Sequence, residues 1–458
     1  EQYFYNLLHK KMQHENNVFF NLKVDHYQSN FDKCLNNILV LQKYNKLSSY
    51  TLPSLLYGKR YYKIPRWITW LGYLAVLIGI LTLIESSFFV PFIGIGFINT
   101  LLHYYYKQKI ISYYHDFSNL KSFYSTYNRL IKNDDINNLL TKHENKKLKL
   151  ISNRCRFLTM NIDYADELTA ALYYLIEIFK GWFLIDAMQF NNTLKVIKNN
   201  APLLRKVFNY IGLVDTAISV VAVKKGTQGC TPLISTNNEL SLKNTYHPLI
   251  DNCVKNSLSM YSDNAIITGG NMSGKTTFLK TIGINVLLAQ TINYAFAEEI
   301  KLPELQILSS VTNEDNLGKG QSYFMSELIR AQNLLEKNES SKLNHLLLFD
   351  EIFKGTNTYD RISLGASVLN YFCKSNTFVV ATTHDIAIMD YVETKYKPFY
   401  FDHQSKDNKI VFDYKIRKGV QKKSNVIELI KSLKFKHQIV SNTIRIKEHI
   451  KKAHNSGS

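Results

Sequence analysis

The sequence predicts an α/β nucleotide-binding domain following an all-helical region, with a transmembrane helical hairpin interrupting the helices. Three observations predict it. Residues 267–283 read ITGGNMSGKTTFLKTIG, a glycine-rich phosphate loop between a short apolar strand and an apolar-periodic helix. Residues 67–84 and 88–106 lack Asp, Glu, Lys and Arg, and each run is long enough to cross a bilayer core. Residues 107–225 carry apolar residues at helical spacing, as at Leu203, Leu204, Val207, Ile211, Val214, Ile218 and Val221.

In chain order, residues 1–64 read as a polar helical segment with apolar spacing at Leu35, Ile38, Leu39 and Leu41. Residues 65–108 are the hairpin, its two helices separated by Glu85-Ser86-Ser87. Lys59, Arg60, Lys63 and Arg66 flank its entry, and Lys107 and Lys109 flank its exit. The positive-inside rule then places both ends in the cytoplasm and Glu85 outside, with Trp67, Trp70 and Tyr104 to Tyr106 at the interfaces. With about 66 residues before the run and no small-residue cleavage pattern after it, a cleaved signal peptide is not expected. Residues 109–244 form the helical core or lever, ending where Gly226, Gly229 and Pro232 break the pattern. Residues 245–418 are the nucleotide-binding domain, 419–453 a helical dimerisation segment and 454–458 a tail.

Composition sets the remaining bounds. The 458 residues exceed what one core usually holds, and the five cysteines form no C-x-x-C pair, which fits a reducing compartment without a zinc site. The net charge of +19 is uneven. Lys and Arg outnumber Asp and Glu 10 to 4 in residues 1–66 and 14 to 4 in residues 403–458, against 13 to 17 in residues 246–402. Basic flanks of this kind suit anionic lipid or nucleic acid as well as plain solvation.

Gly269-x4-Gly274-Lys275-Thr276 satisfies the phosphate-loop pattern in full. Its glycines let backbone N–H groups curl around a phosphate, and the following helix contributes the partial positive charge of its N-terminus. Residues Gly269, Gly270, Asn271, Met272, Ser273, Gly274, Lys275, Thr276 and Thr277 are the expected nucleotide contacts, with Lys275 reaching the β- and γ-phosphates and Thr276 a ligand of Mg²⁺. HLLLFDE (345–351) is an apolar strand ending in two carboxylates. Asp350 fits the role of holding the Mg²⁺ shell and Glu351 a base or water-orienting residue beside the γ-phosphate. A third strand, TFVVATTHD (377–385), ends at His384, whose position resembles that of the switch histidine that senses the γ-phosphate in ATPases of the ABC type.

With DNLGKGQSYFMSELIRA, DEIFKGTNTYDR and ATTHD following the phosphate loop in order, and HPLI (247–250) preceding it, the chain resembles the MutS family over roughly residues 200–435. It looks most like short, membrane-associated bacterial members, in which FDYKIRKG (412–419) also finds a counterpart. Gly270, Ser273 and Lys319 depart from the usual pattern without removing a ligand. The resemblance implies an ABC-type ATPase fold, ATP and Mg²⁺ as ligands, and a homodimer. In that dimer Ser322 contacts the γ-phosphate held by the opposite subunit, and Gly355 to Thr358 cross the interface. It also implies a location at the bacterial inner membrane, with the ATPase domain in the cytoplasm.

The residues before the ATPase are too few for the family's mismatch-reading, connector and clamp domains together, and no Phe-x-Glu wedge occurs near residue 1. An ATP-driven switch acting on the hairpin or on an unknown protein partner is the leading expectation. A membrane-tethered DNA-binding protein is the second. The ATPase half of a transporter is the third, since LGKGQ resembles the ABC signature, although two spans per chain give a dimer only four.

Overall fold

The computed structural model describes residues 14–45, 62–134, 139–158, 167–235, 237–270, 272–311, 323–340, 343–373, 377–406, 409–420 and 435–455, together with 427, 430, 431 and 433. Two compact units divide at Val221/Ala222, within the last turns of a helix that ends at Gly226.

The first unit is helical. Its elements are α1 (His14–Ser29), α2 (Phe31–Asn45), α3 (Arg66–Ile84), a 3-10 turn (Ser86–Phe88), α4 (Phe89–Asn133), α5 (Lys142–Leu158), α6 (Glu167–Trp182), α7 (Ile185–Asn199) and α8 (Ala201–Gly226). Three segments among the described residues are long and apolar enough to cross a membrane by length and composition: Arg66–Ile84, Ser86–Ile111 and Ala201–Gly226. Their burial separates them, at 17%, 22% and 56% of the apolar window. In α8 the stripe of Leu204, Val207, Val214, Ala217 and Val221 is core, whereas α3 and the start of α4 leave Leu77, Leu83, Ile84, Val90 and Phe97 exposed.

The second hairpin helix does not stop where the apolar run stops. α4 continues for 45 residues, so the division expected at 108/109 falls inside one helix. No Gly or Pro occurs between Phe97 and Asn133, and polarity alone does not end a helix.

At the end of α4 the buried Asp134 carboxylate accepts hydrogen bonds from Tyr27 (2.9 Å), Asn37 (2.8 Å) and Tyr210 (2.9 Å) and pairs with Lys23 (2.6 Å). One carboxylate thus ties α1, α2, α4 and α8 together. Burial pushes the Lys23 ammonium below its ordinary range, and the Asp134 charge opposes that shift. Because removing one partner strands the other charge in a dry interior, Asp134→Ala is expected to cost about 3–5 kcal/mol. A lowered denaturation midpoint of the purified chain would register it.

The second unit carries two sheets. The smaller has strand order β1-β5-β2-β3, built from β1 (Leu233–Ile234), β2 (Leu240–Thr245), β3 (Asn256–Met260) and β5 (Glu299–Leu302). The larger has order β10-β9-β4-β8-β7-β6, from β4 (Asn264–Thr268), β6 (Leu305–Ser310), β7 (Asn344–Phe349), β8 (Thr377–Thr382), β9 (Tyr396–Lys406) and β10 (Lys409–Lys418). Strands β6, β7, β8, β4 and β9 are parallel, and β10 closes the edge antiparallel.

The parallel strands are apolar on both faces because both are covered. Leu346, Leu348, Phe378 and Val380 pack with Phe278, Leu279, Ile282 and Val286 of α9 (Lys275–Ile292). Leu347, Phe349, Val379 and Ala381 face Ala331 and Leu334 of α10 (Tyr323–Ser340) and Ala366 and Leu369 of α11 (Thr358–Tyr371). The last helix, α12, is His437–Asn455. The fold class expected for this half, an α/β domain, is the one present.

Candidate active site

Three strand ends meet here. The phosphate loop follows β4, Asp350 and Glu351 follow β7, and His384 follows β8, which lies between them in the sheet. The carboxyl ends of adjacent parallel strands are where an open α/β sheet forms its crevice. Thr383 N–H donates to Ile267 O (3.1 Å) and so fixes the end of β8 against the loop.

Within the loop, Gly274 caps α9 at φ 102° and Gly269 sits at φ 149°. A Cβ on Gly269 would lie 2.9 Å from Ser273 Oγ and 3.0 Å from Phe401 O, so the tight curl admits only glycine. Lys275, the first residue of α9, is 5% exposed. Its Nζ donates to Gly269 O (3.0 Å) and Gly270 O (3.1 Å) and stands 3.4 Å from His384 Nε2. Burial lowers the affinity of this ammonium for its proton, and the Glu351 and Asp350 carboxylates act against that. Ser273 Oγ is buried without a hydrogen-bond partner, and Met272 is exposed at left-handed φ 66°. Thr277 lies in the first turn of α9 beside Thr276.

The acidic side is equally defined. Thr276 Oγ1 donates to Asp350 Oδ1 (2.9 Å), and Thr382 Oγ1 donates to the same oxygen (2.8 Å) while accepting from Glu351 N–H (2.9 Å). A hydroxyl and a carboxylate converging this closely are the hard oxygen donors that Mg²⁺ takes. The residues therefore fit that ion, with Thr276 and Asp350 as its holders.

Glu351 adopts left-handed φ 51° at the strand end, a conformation that costs a non-glycine residue energy and recurs at functional sites. Its Oε1 lies 2.7 Å from His384 Nε2 and its Oε2 pairs with Lys354 Nζ at 2.6 Å. Burial pushes the Glu351 carboxyl up, but the bonds from Lys354 and His384 outweigh it and hold the group below the usual carboxylate range.

The loop after β7 is braced from two sides. Glu327 Oε2 accepts from Gly355 N–H (3.0 Å), and Arg361 pairs through two nitrogens with Asp385, linking this loop to the turn after His384. Asn357 caps α11, its side chain accepting from Asp360 N–H at 3.0 Å.

Beside the loop lies a cavity of about 550 Å³. Tyr246, Ile250, Cys253, Val254, Phe401 and Tyr414 are among its lining residues, as are Ser273 to Phe278 and Glu351. Mostly apolar walls next to a cationic loop suit a flat base attached to phosphates. Tyr414 is delivered by a bulge in β10 between Phe412 and Ile416. Asn256 clamps that bulge by donating to Tyr414 O and accepting from Ile416 N–H, both at 2.9 Å.

Of the residues expected from sequence, Lys275, Thr276, Asp350, Glu351 and His384 come together here. Asn271 and Ser322, with the 315–322 signature, lie outside the described residues. Sequence reasoning missed Thr382, Lys354, Arg361 and Tyr414. All four lie inside quoted motifs, Thr382 in ATTHD, Lys354 and Arg361 in DEIFKGTNTYDR and Tyr414 in FDYKIRKG, but their spacing alone assigned them no role. Thr382→Val keeps the shape but strands the Glu351 N–H, and is expected to cost about 1–3 kcal/mol in denaturant unfolding.

Comparison with known proteins adds a family. Residues 265–451 match the family described as MutS domain V. The chain is 30% identical over 274 residues to "DNA mismatch repair protein MSH3" of Vanderwaltozyma polyspora, covering 56% of this chain and 26% of that protein. It is 29% identical over 316 residues to "DNA mismatch repair protein MutS" of Persephonella marina, covering 66% and 35%, and 28% identical over 254 residues to the protein of that name from Lactobacillus delbrueckii subsp. bulgaricus, covering 53% and 29%. The chain thus spans about a third or less of these relatives.

Proposed function

Since the chain belongs to the MutS family through this domain, we propose that it is a Mg²⁺-dependent ATPase that works as a membrane-anchored homodimer and switches conformation with its nucleotide. One observation carries the reading: Lys275, Thr276, Asp350, Glu351 and His384 converge at the ends of three adjacent strands, beside a cavity sized for a nucleoside.

In this reading the backbone N–H groups of the loop and Lys275 Nζ take the phosphate oxygens. Tyr414 and the 250–254 segment flank the base. Thr276 and Asp350 hold Mg²⁺, which when bound neutralises phosphate charge. Glu351, kept ionised by Lys354 and His384, accepts the proton of the attacking water. His384, 2.7 Å from Glu351 and 3.4 Å from Lys275, is placed to report whether a γ-phosphate is present.

Dimerisation is supported by exposed apolar side chains on this domain: Met272 in the loop, Met325 and Ile329 on α10, and Tyr359 at the start of α11. Helix α10 directly follows Ser322, the proposed contact to the partner's nucleotide. The exposed apolar lengths of α3 and α4 support anchoring in a bacterial inner membrane, with the ATPase domain in the cytoplasm.

The test is phosphate release from Mg-ATP by the purified chain, with EDTA as control. Absence of both ATP binding and ATP hydrolysis would sink the proposal. Alkaline carbonate extraction tests the anchor, and release without detergent would remove it.

A second reading, contact with DNA, is favoured by α5. Lys146, Lys149, Asn153 and Arg154 line a groove there with Gln189. Binding to plain duplex that weakens steeply with salt would support it, and no binding at low salt would end it.

A further inference from the structure

The hairpin is not the only part of the first unit that belongs at membrane depth. Helices α6 and α7 form a second, shorter hairpin whose tip wedges between α3 and α4 at a level well inside the apolar run. The backbone turns at Phe183-Leu184, with Leu184 left-handed at φ 50°. Gly72 of α3 has no Cβ because one would lie 2.7 Å from Phe183 O, and Gly96 of α4 has none because one would lie 2.9 Å from the Trp182 indole. Small residues at such crossings are what allow helices to pack closely in a bilayer. Gly96 lies 11 residues before Lys107, about 16 Å along the helix. Gly72 lies six residues after Arg66, about 9 Å. The tip therefore reaches the depth of roughly one leaflet of a hydrocarbon core about 30 Å thick.

Resting on the membrane reading above, we propose that α6–α7 is a re-entrant hairpin whose α6 face is covered by lipid acyl chains. Two independent features argue for it. First, the face of α6 is apolar and open: Tyr174, Leu175, Ile176, Ile178 and Phe179 are 42–65% exposed, and α6 lies along α4, where Phe97, Ile98 and Leu101 are 53–66% exposed. A surface continuous with the spanning helices shares their solvent.

Second, the backbone of the tip is hydrogen-bonded from within the protein, as hydrocarbon demands, although Asn99 Oδ1 beside it is buried without a partner. Asn99, fully buried in the middle of the apolar run of α4, donates to Trp182 O at 2.8 Å and to Leu71 O at 3.4 Å. Leu184 N–H donates to Gly181 O (3.2 Å), and Met188 N–H to Leu184 O (3.1 Å). Glu177, the buried acid of α6, pairs with Lys107 and with Lys180 (3.3 Å), while Asp186 lies 3.9 Å from Lys180 and His103 3.6 Å from Glu177. Two carboxylates are thus matched by two ammonium groups from within the protein, Glu177 reaching Lys107 and Asp186 lying beside Lys180 next to the tip, as ionisable groups at membrane depth require.

The test uses the full chain in liposomes, with Cys34, Cys155, Cys230, Cys253 and Cys373 replaced by alanine and one spin label at Leu175→Cys, Phe179→Cys or Phe97→Cys. Lipid-facing positions collide with oxygen several-fold more than with a water-soluble nickel chelate. That pattern at 175, 179 and 97 together is the expected result. A lipid pattern at 97 with nickel access at 175 and 179 overturns the re-entrant hairpin and leaves the spanning helices standing. Shielding of 175 and 179 from both reagents overturns it too, showing that protein, such as a second copy, covers the face. Nickel access at all three removes the membrane reading and this inference with it.

Should the labelled chains not fold, Trp67→Phe/Trp70→Phe leaves Trp182 as the sole tryptophan. Its quenching by lipids brominated along the acyl chain supports the hairpin, and its indifference to them overturns it.

Discussion

Glu351→Gln is expected to bind ATP as the unaltered chain does and to hydrolyse it about 10² to 10⁴-fold more slowly. The amide keeps the volume and the approach to His384 but cannot accept the proton of the attacking water. Thr276, Asp350 and Lys275 are untouched, so the phosphates keep their holders. Fluorescent-nucleotide titration and phosphate release measure the two quantities separately, and unchanged turnover would assign the base elsewhere.

The pH dependence carries a sign. A carboxyl held below its ordinary range stays ionised until the pH falls beneath that range, so Glu351 is in its base form throughout neutral conditions. Turnover at limiting ATP should therefore show no acid limb near neutrality that the Gln variant abolishes. A limb there that Glu351→Gln removes would overturn this assignment, and one that persists in the variant would report a different group.

Lys275→Ala is expected to weaken ATP binding by about 10² to 10³-fold, the scale of removing one member of a buried, hydrogen-bonded charge pair. The ammonium is buried against the carbonyls of Gly269 and Gly270, so alanine leaves those oxygens unpaired and the phosphates without their cation. The same variant tests the composite site. Mixed with Ser322→Ala, it forms dimers in which one site collects both defects and the other has a native loop from one chain and a native Ser322 from its partner. Partial recovery of hydrolysis on mixing is the expected outcome. Its absence despite proven subunit exchange would mean that two competent sites are required or that Ser322 acts within its own chain. Placing both changes in one chain and mixing it with native protein separates these, since action in cis leaves one working site.

The sequence by itself determined the phosphate loop, the paired acids after β7 and the helical character of the first unit. These are local: a tight curl needs glycine where φ is positive, and helical spacing repeats within a few residues. It also determined where the chain is apolar enough to cross a membrane. It did not determine where α4 ends, because the change from apolar to polar residues at Lys107 alters what surrounds a helix and not whether it continues.

Only the tertiary structure decided that β8 lies between β4 and β7. That order puts His384 between Lys275 and Glu351, residues 109 and 33 positions away in the chain. It likewise brought Thr382 to the acids, and Tyr414 to Gly274 through the clamp of Asn256, 158 residues before it. Helix α6 shows the same limit. Its apolar residues read as ordinary core spacing, and only the packing of its tip against Gly72 and Gly96 leaves their outer face uncovered. Spacing along a chain specifies which side chains share a face, while what covers that face depends on contacts between residues that are distant in sequence.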